Sequence, residues 1–422
     1  MQVRAPQRTA TATRSRRVLA EAFSGRANSI NVLRLLCAYA VIVSHSWPLG
    51  LGRHDLGFTE FNRQTDLGKL GLAGFFVISG FLVTRSGARS SLARFAWHRA
   101  LRIFPGYWVC ILLLAFVLAP LLWLLERPDE GLGALFSQPS NPLTYVTRQW
   151  WTATTQHGIA GLLADTPRDN GHGSSFNGTL WSLRYELLCY VLVAALAVTA
   201  VLRRWRWGAL LLTGLLYVLA LWRTAADLGL RGGPDLPTVQ LPLIAHVDLG
   251  QLANLALLFL LGACLFLFAD RVPVSDRLAA LCAVVFVGTL FTTGFFVLGQ
   301  PAMAYLLLWL GVRLPSRLHG IGRRHDLSYG LYIYGWPIQI TLVSLGLTRR
   351  DHGFPLWMAC SLVLATGAAW LSWNLVERRA MAWKDWQPAL PQRRRRRPEA
   401  EAVLADGREP EEPRELLDSN RP

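Results

Sequence analysis

Apolar residues along this chain fall into long blocks with little charge, separated by short polar stretches. The blocks lie near 30–51, 68–84, 103–125, 179–202, 207–222, 251–269, 278–298, 302–314, 328–347 and 355–376. Most reach the 17 to 25 residues or so that carry a helix across about 30 Å of hydrocarbon. Core helices of soluble proteins are shorter and striped, with a polar face for water. The pattern therefore predicts an all-α polytopic membrane helix bundle of about ten transmembrane helices. The eighth block is short enough to form a tight hairpin with the seventh rather than cross fully.

The polar stretches orient the bundle. With residue 1 placed inside, roughly 70% of the Lys and Arg residues fall on the inner side, the asymmetry expected of cytoplasmic loops. Both termini are then cytoplasmic. Residues 1–28 are polar and Arg-rich, and are expected to be a disordered cytoplasmic tail rather than a cleavable signal peptide. A membrane domain follows over 29–387, and 388–422 reads as a second disordered tail with an unbroken basic run, Arg393 to Arg397, suited to anionic headgroups. Segment 126–178 is expected to be a long outer loop, rich in Gly, Ser, Asn, Thr and Pro. Loops of that length are commonly functional.

Composition agrees: 52% of the 422 residues are hydrophobic and 17% charged, whereas soluble domains carry about a quarter. The net charge of +16 follows from Arg on inner loops and tails, so no nucleic-acid partner is expected. Lys occurs only at Lys69 and Lys384. All six cysteines lie inside apolar blocks without metal or redox spacing, so neither disulfide nor metal site is expected. The absence of an internal repeat weakens a transporter reading.

Charged side chains inside spans cost several kcal/mol and call for a reason. Arg34 and His45 are eleven residues apart in the first span. That spacing is about 20° past three turns, so both share one helix face, roughly 16 Å apart along the axis. A structural reading also fits: Arg34 snorkels to one interface, and His45 with Trp47 anchors at the other. In Trp181-Ser182-Leu183-Arg184-Tyr185-Glu186, Glu186 falls about a turn and a half inside the fourth span, where His45 and Arg184 are candidate partners at similar depth. A structural ion pair is the alternative. Arg99 and Arg102 share a face of the inner loop that also holds Arg94 and His98. They suit a phosphorylated cytosolic ligand, or serve only to set topology.

In order, these pieces resemble the acyltransferase family 3 membrane proteins, the integral-membrane O-acyltransferases of bacteria. The resemblance rests on Arg34 and His45, on Gly74–Leu82, on Arg99–Tyr107, on Asn177–Glu186, on Ser328–Pro337 and on Asn374–Arg378. Two positions depart: Trp336 stands where relatives often carry a His, and Arg184 where they often have Pro or Ser. The resemblance implies a bacterial inner-membrane enzyme that transfers an acyl group, most often acetyl from acetyl-CoA, to a hydroxyl of a carbohydrate. It implies no resident cofactor; acyl-CoA, a carbohydrate acceptor and the bilayer are the expected partners. His45 would be general base or transient acyl carrier, and Glu186 would polarise its surroundings. Arg34, Arg99 and Arg102 would hold the phosphates of CoA, and Asn177, Trp181, Arg184 and Tyr185 would contact the acceptor. Lipopolysaccharide, exopolysaccharide, a lipid-linked sugar or a glycosylated small molecule all fit as acceptor. The alternative is a transporter or flippase using Arg34, His45 and Glu186 as a relay. No glycerolipid-acyltransferase His/Asp pattern, Gly-x-Ser-x-Gly elbow or phosphate-binding loop with Lys is present.

Overall fold

The computed structural model describes residues 17–386 apart from 24–26, 165, 168–174, 200, 228–235, 243–244 and 350–352. Residues 1–16 and 387–422 lie outside the described residues, but the rest of the expected 1–28 tail is not all disordered: Leu19–Ala22 forms a helical turn, Leu19 and Phe23 are buried, and Val18 bridges Pro273. The described residues up to Lys384 belong to one compact unit.

Helices form wherever the sequence is continuously apolar, because a backbone in hydrocarbon must satisfy its polar groups internally. In chain order they are α1 (Ile30–Leu51), α2 (Leu67–Arg89), α3 (Leu92–Glu126, with a π turn at Leu114–Leu118), α4 (Leu132–Phe136), α5 (Pro142–Gln149), α6 (Trp181–Val198) and α7 (Arg206–Asp227). A hairpin of β1 (Thr238–Leu241) and β2 (Ala245–Asp248) leads into α8 (Leu249–Leu267) and α9 (Asp276–Phe291). The chain then forms α10 (Phe295–Arg313), α11 (Ser328–Ser344) and α12 (Gly353–Asp385, with a π turn at Trp373–Glu377). Short polar side chains start several of them: Asp66, Ser91, Asp248 and Ser275 each accept a backbone N–H of the first turn.

Among the described residues eight helices are long and apolar enough to cross a membrane. The other two expected spans form α9 and α11, of 16 and 17 residues. The short member of the predicted hairpin is thus the seventh block, not the eighth: Gly294, at φ +91°, breaks the run. The β hairpin also qualifies the all-α expectation.

Glycine sets the tightest contact. A methyl group on Gly80 of α2 would collide with the Phe259 carbonyl oxygen of α8, and one on Gly262 with that of Val77. The two backbones therefore touch, as small residues permit between membrane helices. Gly80→Ala has no flexible side chain to displace. It is expected to destabilise by about 1–3 kcal/mol, read as a lowered Tm in detergent.

Depth follows from which residues meet. A Cβ on Gly68 would touch Ser44, and one on Gly74 would touch Cys37, so α1 and α2 run antiparallel. Ser79 meets Glu186 and Gly87 meets Val193, so α2 and α6 run parallel. Ser79 is twelve residues into α2 while Glu186 is only five into α6, so α6 starts some seven residues, about 10 Å, further into the bundle. Described residues of the expected 126–178 loop pack in the space above it. That segment is not an open outer loop. It buries Leu135, Tyr145, Ile159, Leu162 and Phe176 completely, and α5 descends beside α3 until the Tyr107 hydroxyl donates to Gln149 O and the Trp108 indole to Trp150 O. An apolar set of that size cannot stay in water, so the segment re-enters the bundle.

Candidate functional site

His45 lies near the last turn of α1, and Gly52, in left-handed conformation, turns the chain back there. This return brings Asp55 beside the ring, with Nδ1 of His45 2.8 Å from Asp55 Oδ1. Ser44 donates to the same oxygen at 3.3 Å. Nε2 has no hydrogen-bond partner among the described residues. A carboxylate on one ring nitrogen fixes tautomer and orientation and leaves the other to work on substrate. The imidazole meets the Trp336 ring edge-on at 5.1 Å between centroids, and the Trp336 indole donates to Ser175 O at 2.8 Å. The family's frequent second imidazole is thus replaced by an apolar wall beside the first.

At the other end of α1 a cavity of about 270 Å³ opens among α1, α2, α3, α6 and α11. Its polar lining includes Arg34, Ser79, Arg99, Arg102, Glu186 and Tyr190, and Leu72, Phe75 and Tyr332 line it as well. Arg34 and His45 do share a face, since Arg34 reaches Asp326 just before α11 and His45 packs on Trp336 within it.

The three arginines differ in their commitments. Asp326 Oδ2 accepts from Arg34 at 2.8 Å and from Arg102 at 2.7 Å, while Ser328 holds Oδ1. Burial works against the Asp326 charge, but Arg102 and Arg34 outweigh it and hold the carboxyl well below the usual range. Arg102 also reaches Glu377 at 3.3 Å. Glu377 ends the π turn of α12, and such turns recur at functional sites. Arg99 forms no ion pair among the described residues; its Nε is buried and unpartnered, and its guanidinium lies over the rings of Phe95 and Tyr190. Arg99 is therefore the most available of the three for an incoming anion.

Glu186 is not at the depth of His45. It accepts from Tyr190 at 2.6 Å and from Ser79 at 3.2 Å. Ser79 lies eleven residues along α2 from Gly68, the neighbour of Ser44, which is about 16 Å. The sequence estimate failed because it started the fourth span at the membrane surface, whereas α6 begins inside the bundle. Asp55, not Glu186, holds the imidazole. Nor does Arg184 pair with Glu186: it is buried, donates to the His246 carbonyl and leaves Nε unpartnered.

Tyr185 accepts from the Asp248 N–H at 3.2 Å and packs edge-on against Trp181. Asn177 is buried, and its amide donates to Ile333 O at 2.8 Å. Pro337 lacks the N–H that would otherwise bond that carbonyl, so Asn177 satisfies a group that α11 leaves open. Its position points to a structural role. Asp55, Asp326, Ser79 and Tyr190 were not singled out in the sequence. A carboxylate shortly after a span end is one signal that would have flagged Asp55.

A polytopic helix bundle with an arginine-lined cavity at one end and a carboxylate-held imidazole at the other defines a membrane enzyme with two approaches to its interior. The chain belongs to the acyltransferase family whose model, described as an acyltransferase domain, matches residues 27–374. It is 30% identical over 376 residues to nodulation protein 10 of Rhizobium leguminosarum bv. viciae, covering 85% of this chain and 94% of that one. It is 25% identical over 365 residues to an O-acetyl transferase of Shigella phage Sf6, covering 84% and 96%. No solved structure matches the chain significantly. The protein is a membrane-bound O-acyltransferase, which decides against the transporter alternative.

Proposed function

We propose that the enzyme transfers acetyl from acetyl-CoA, taken up at the Arg34 end, to a hydroxyl of a cell-envelope or exported carbohydrate at the His45 end. On the charge asymmetry of the loops, the Arg34 end faces the cytoplasm, both termini lie on that side, and the membrane is the bacterial inner membrane. The observation that carries the reading is the Asp55–His45 contact at 2.8 Å, set some 16 Å along one helix face from Arg34 of the arginine cavity.

In this reaction Nε2 of His45 takes the proton of the acceptor hydroxyl as its oxygen attacks the thioester carbonyl. The C–S bond breaks, and the proton passes from His45 to the departing CoA thiolate. Asp55 keeps the ring oriented and stabilises the imidazolium while it lasts. A transient acetyl-imidazole is the variant of the same scheme in which His45 carries the group. Arg99 receives a phosphate of CoA, with Arg34 and Arg102 adding positive potential through their shared clasp on Asp326. Glu186 has one carboxylate oxygen committed to Tyr190 and Ser79, which leaves the other for an N–H of the donor.

The test is release of CoA and transfer of label from radiolabelled acetyl-CoA by the purified protein. Arg99→Ala is expected to raise the KM for acetyl-CoA about tenfold with a smaller fall in kcat, as loss of a charge-assisted contact does. An unchanged donor KM would return Arg99 to a topological role.

A further inference from the structure

A cavity of about 380 Å³, separate from the arginine cavity, lies between α7, α8, α10 and the start of α2. Its lining changes character along its length, with Lys69, Arg223 and Asp248 at one end and Leu216 and Leu257 at the other. A Cβ on Gly250 would meet the Arg223 guanidinium, and Thr213 meets Cys264, so α7 and α8 run antiparallel. Leu216 and Leu257 are each seven residues along from Arg223 and Gly250, which sets the apolar end about 10 Å deeper. The polar end is level with the His45 end of α1, because Lys69 follows Gly68, the neighbour of Ser44. Of the eight long spans α7 is the least buried, so the cavity borders the bilayer.

Two polar groups here are uncommitted. Arg223 makes no hydrogen bond or ion pair among the described residues. Gln300 is 1% exposed; its amide donates to Asn254 of the lining at 2.9 Å, and its Oε1 is buried without a partner. The other charges have partners: Lys69 pairs with Asp66 at 2.9 Å, and Asp248 caps α8 by accepting the Gln251 N–H. Arg223 is therefore the cation left to bind, and a phosphate offers a guanidinium two oxygens at once. We propose that this cavity holds a bilayer phospholipid, with its phosphate on Arg223 and its chains running down past Leu216 and Leu257. The Asp248 N–H donates to Tyr185 of α6 at 3.2 Å, so a lipid seated there braces α7 against the part of the bundle that carries the β hairpin. The inference is independent of the reaction scheme.

The experiment takes full-length enzyme stripped of lipid by extended detergent washing. Tm is followed while dioleoyl phosphatidylethanolamine, dioleoylglycerol or inorganic phosphate is added. The phospholipid is expected to raise Tm saturably, as a ligand of the folded state does, and the other two are not. Arg223→Gln should move the midpoint of that titration about tenfold upward, as loss of a charge-assisted contact does, and Arg223→Lys only part of the way. An equal response to dioleoylglycerol, or an unchanged midpoint in Arg223→Gln, overturns the phosphate contact and the proposal with it. A response to inorganic phosphate alone makes this an anion site without a lipid, and overturns it too. Should Arg223→Gln fail to fold, native mass spectrometry of the parent decides. A phospholipid retained through mild detergent exchange supports the site, and none retained overturns it.

Discussion

His45→Ala is expected to lower acetyl transfer about a thousandfold, within the range attributed to a positioned general base, while expression and Tm stay near those of the parent. The side chain is partly exposed and its hydrogen bond is to the equally accessible Asp55, so its removal leaves no buried charge stranded. Asp55→Asn separates orientation from proton transfer. The amide keeps the shape but loses the charge that stabilises the imidazolium, so kcat should fall substantially with the acceptor KM little changed. Full activity in His45→Ala, measured with labelled acetyl-CoA, would remove the imidazole from the chemistry.

Arg102→Met is expected to act through folding as much as through catalysis. Arg102 touches two carboxylates, Asp326 at 2.7 Å and Glu377 at 3.3 Å, and its own side chain is only 13% exposed. Removing one partner of a buried ion pair costs about 3–5 kcal/mol because the remaining charge is left uncompensated. A large drop in Tm and in yield should result. Arg102→Met combined with Asp326→Asn and Glu377→Gln should recover much of that stability without recovering activity. If the single variant is as stable as the parent, the three groups are not a structural unit. Acid is not expected to open the clasp. Asp326 titrates below the usual carboxylate range, so its contribution is complete above the unfolded value and is lost only as pH falls through the lowered one. The Tm contribution of this group should be flat from pH 5 upward.

The bundle was legible because apolar length is read directly from sequence, and each expected span corresponds to a helix of α1–α3 or α6–α12. The shared face of Arg34 and His45 was legible because helical geometry fixes it locally. What was not legible depends on partners far apart in sequence or on turns. Asp326 meets Arg34 across 292 residues, and a single Asp in a short polar connection carries no periodicity. Glu377 reaches Arg102 from a π turn, a shift in register that a 3.6-residue repeat does not contain. Glu186 was placed too shallow because 126–178 was taken as loop, its buried residues being scattered among turn formers. Asn177 was read as an acceptor contact at the end of that loop, yet it completes a carbonyl that a proline 160 residues later leaves open.

The sunken start of α6 has a consequence for transport. Leu72 lines the arginine cavity, and Gly68, beside Ser44, lies four residues away on the same helix, about 6 Å. The arginine cavity thus comes within about one helical turn of the level of Ser44, the neighbour of His45. On the proposed reaction a bulky polyanionic donor would have no need to be ferried across: only its acyl group would pass the remaining turn, and the shape would do the work of a pump without moving the rest of the cargo.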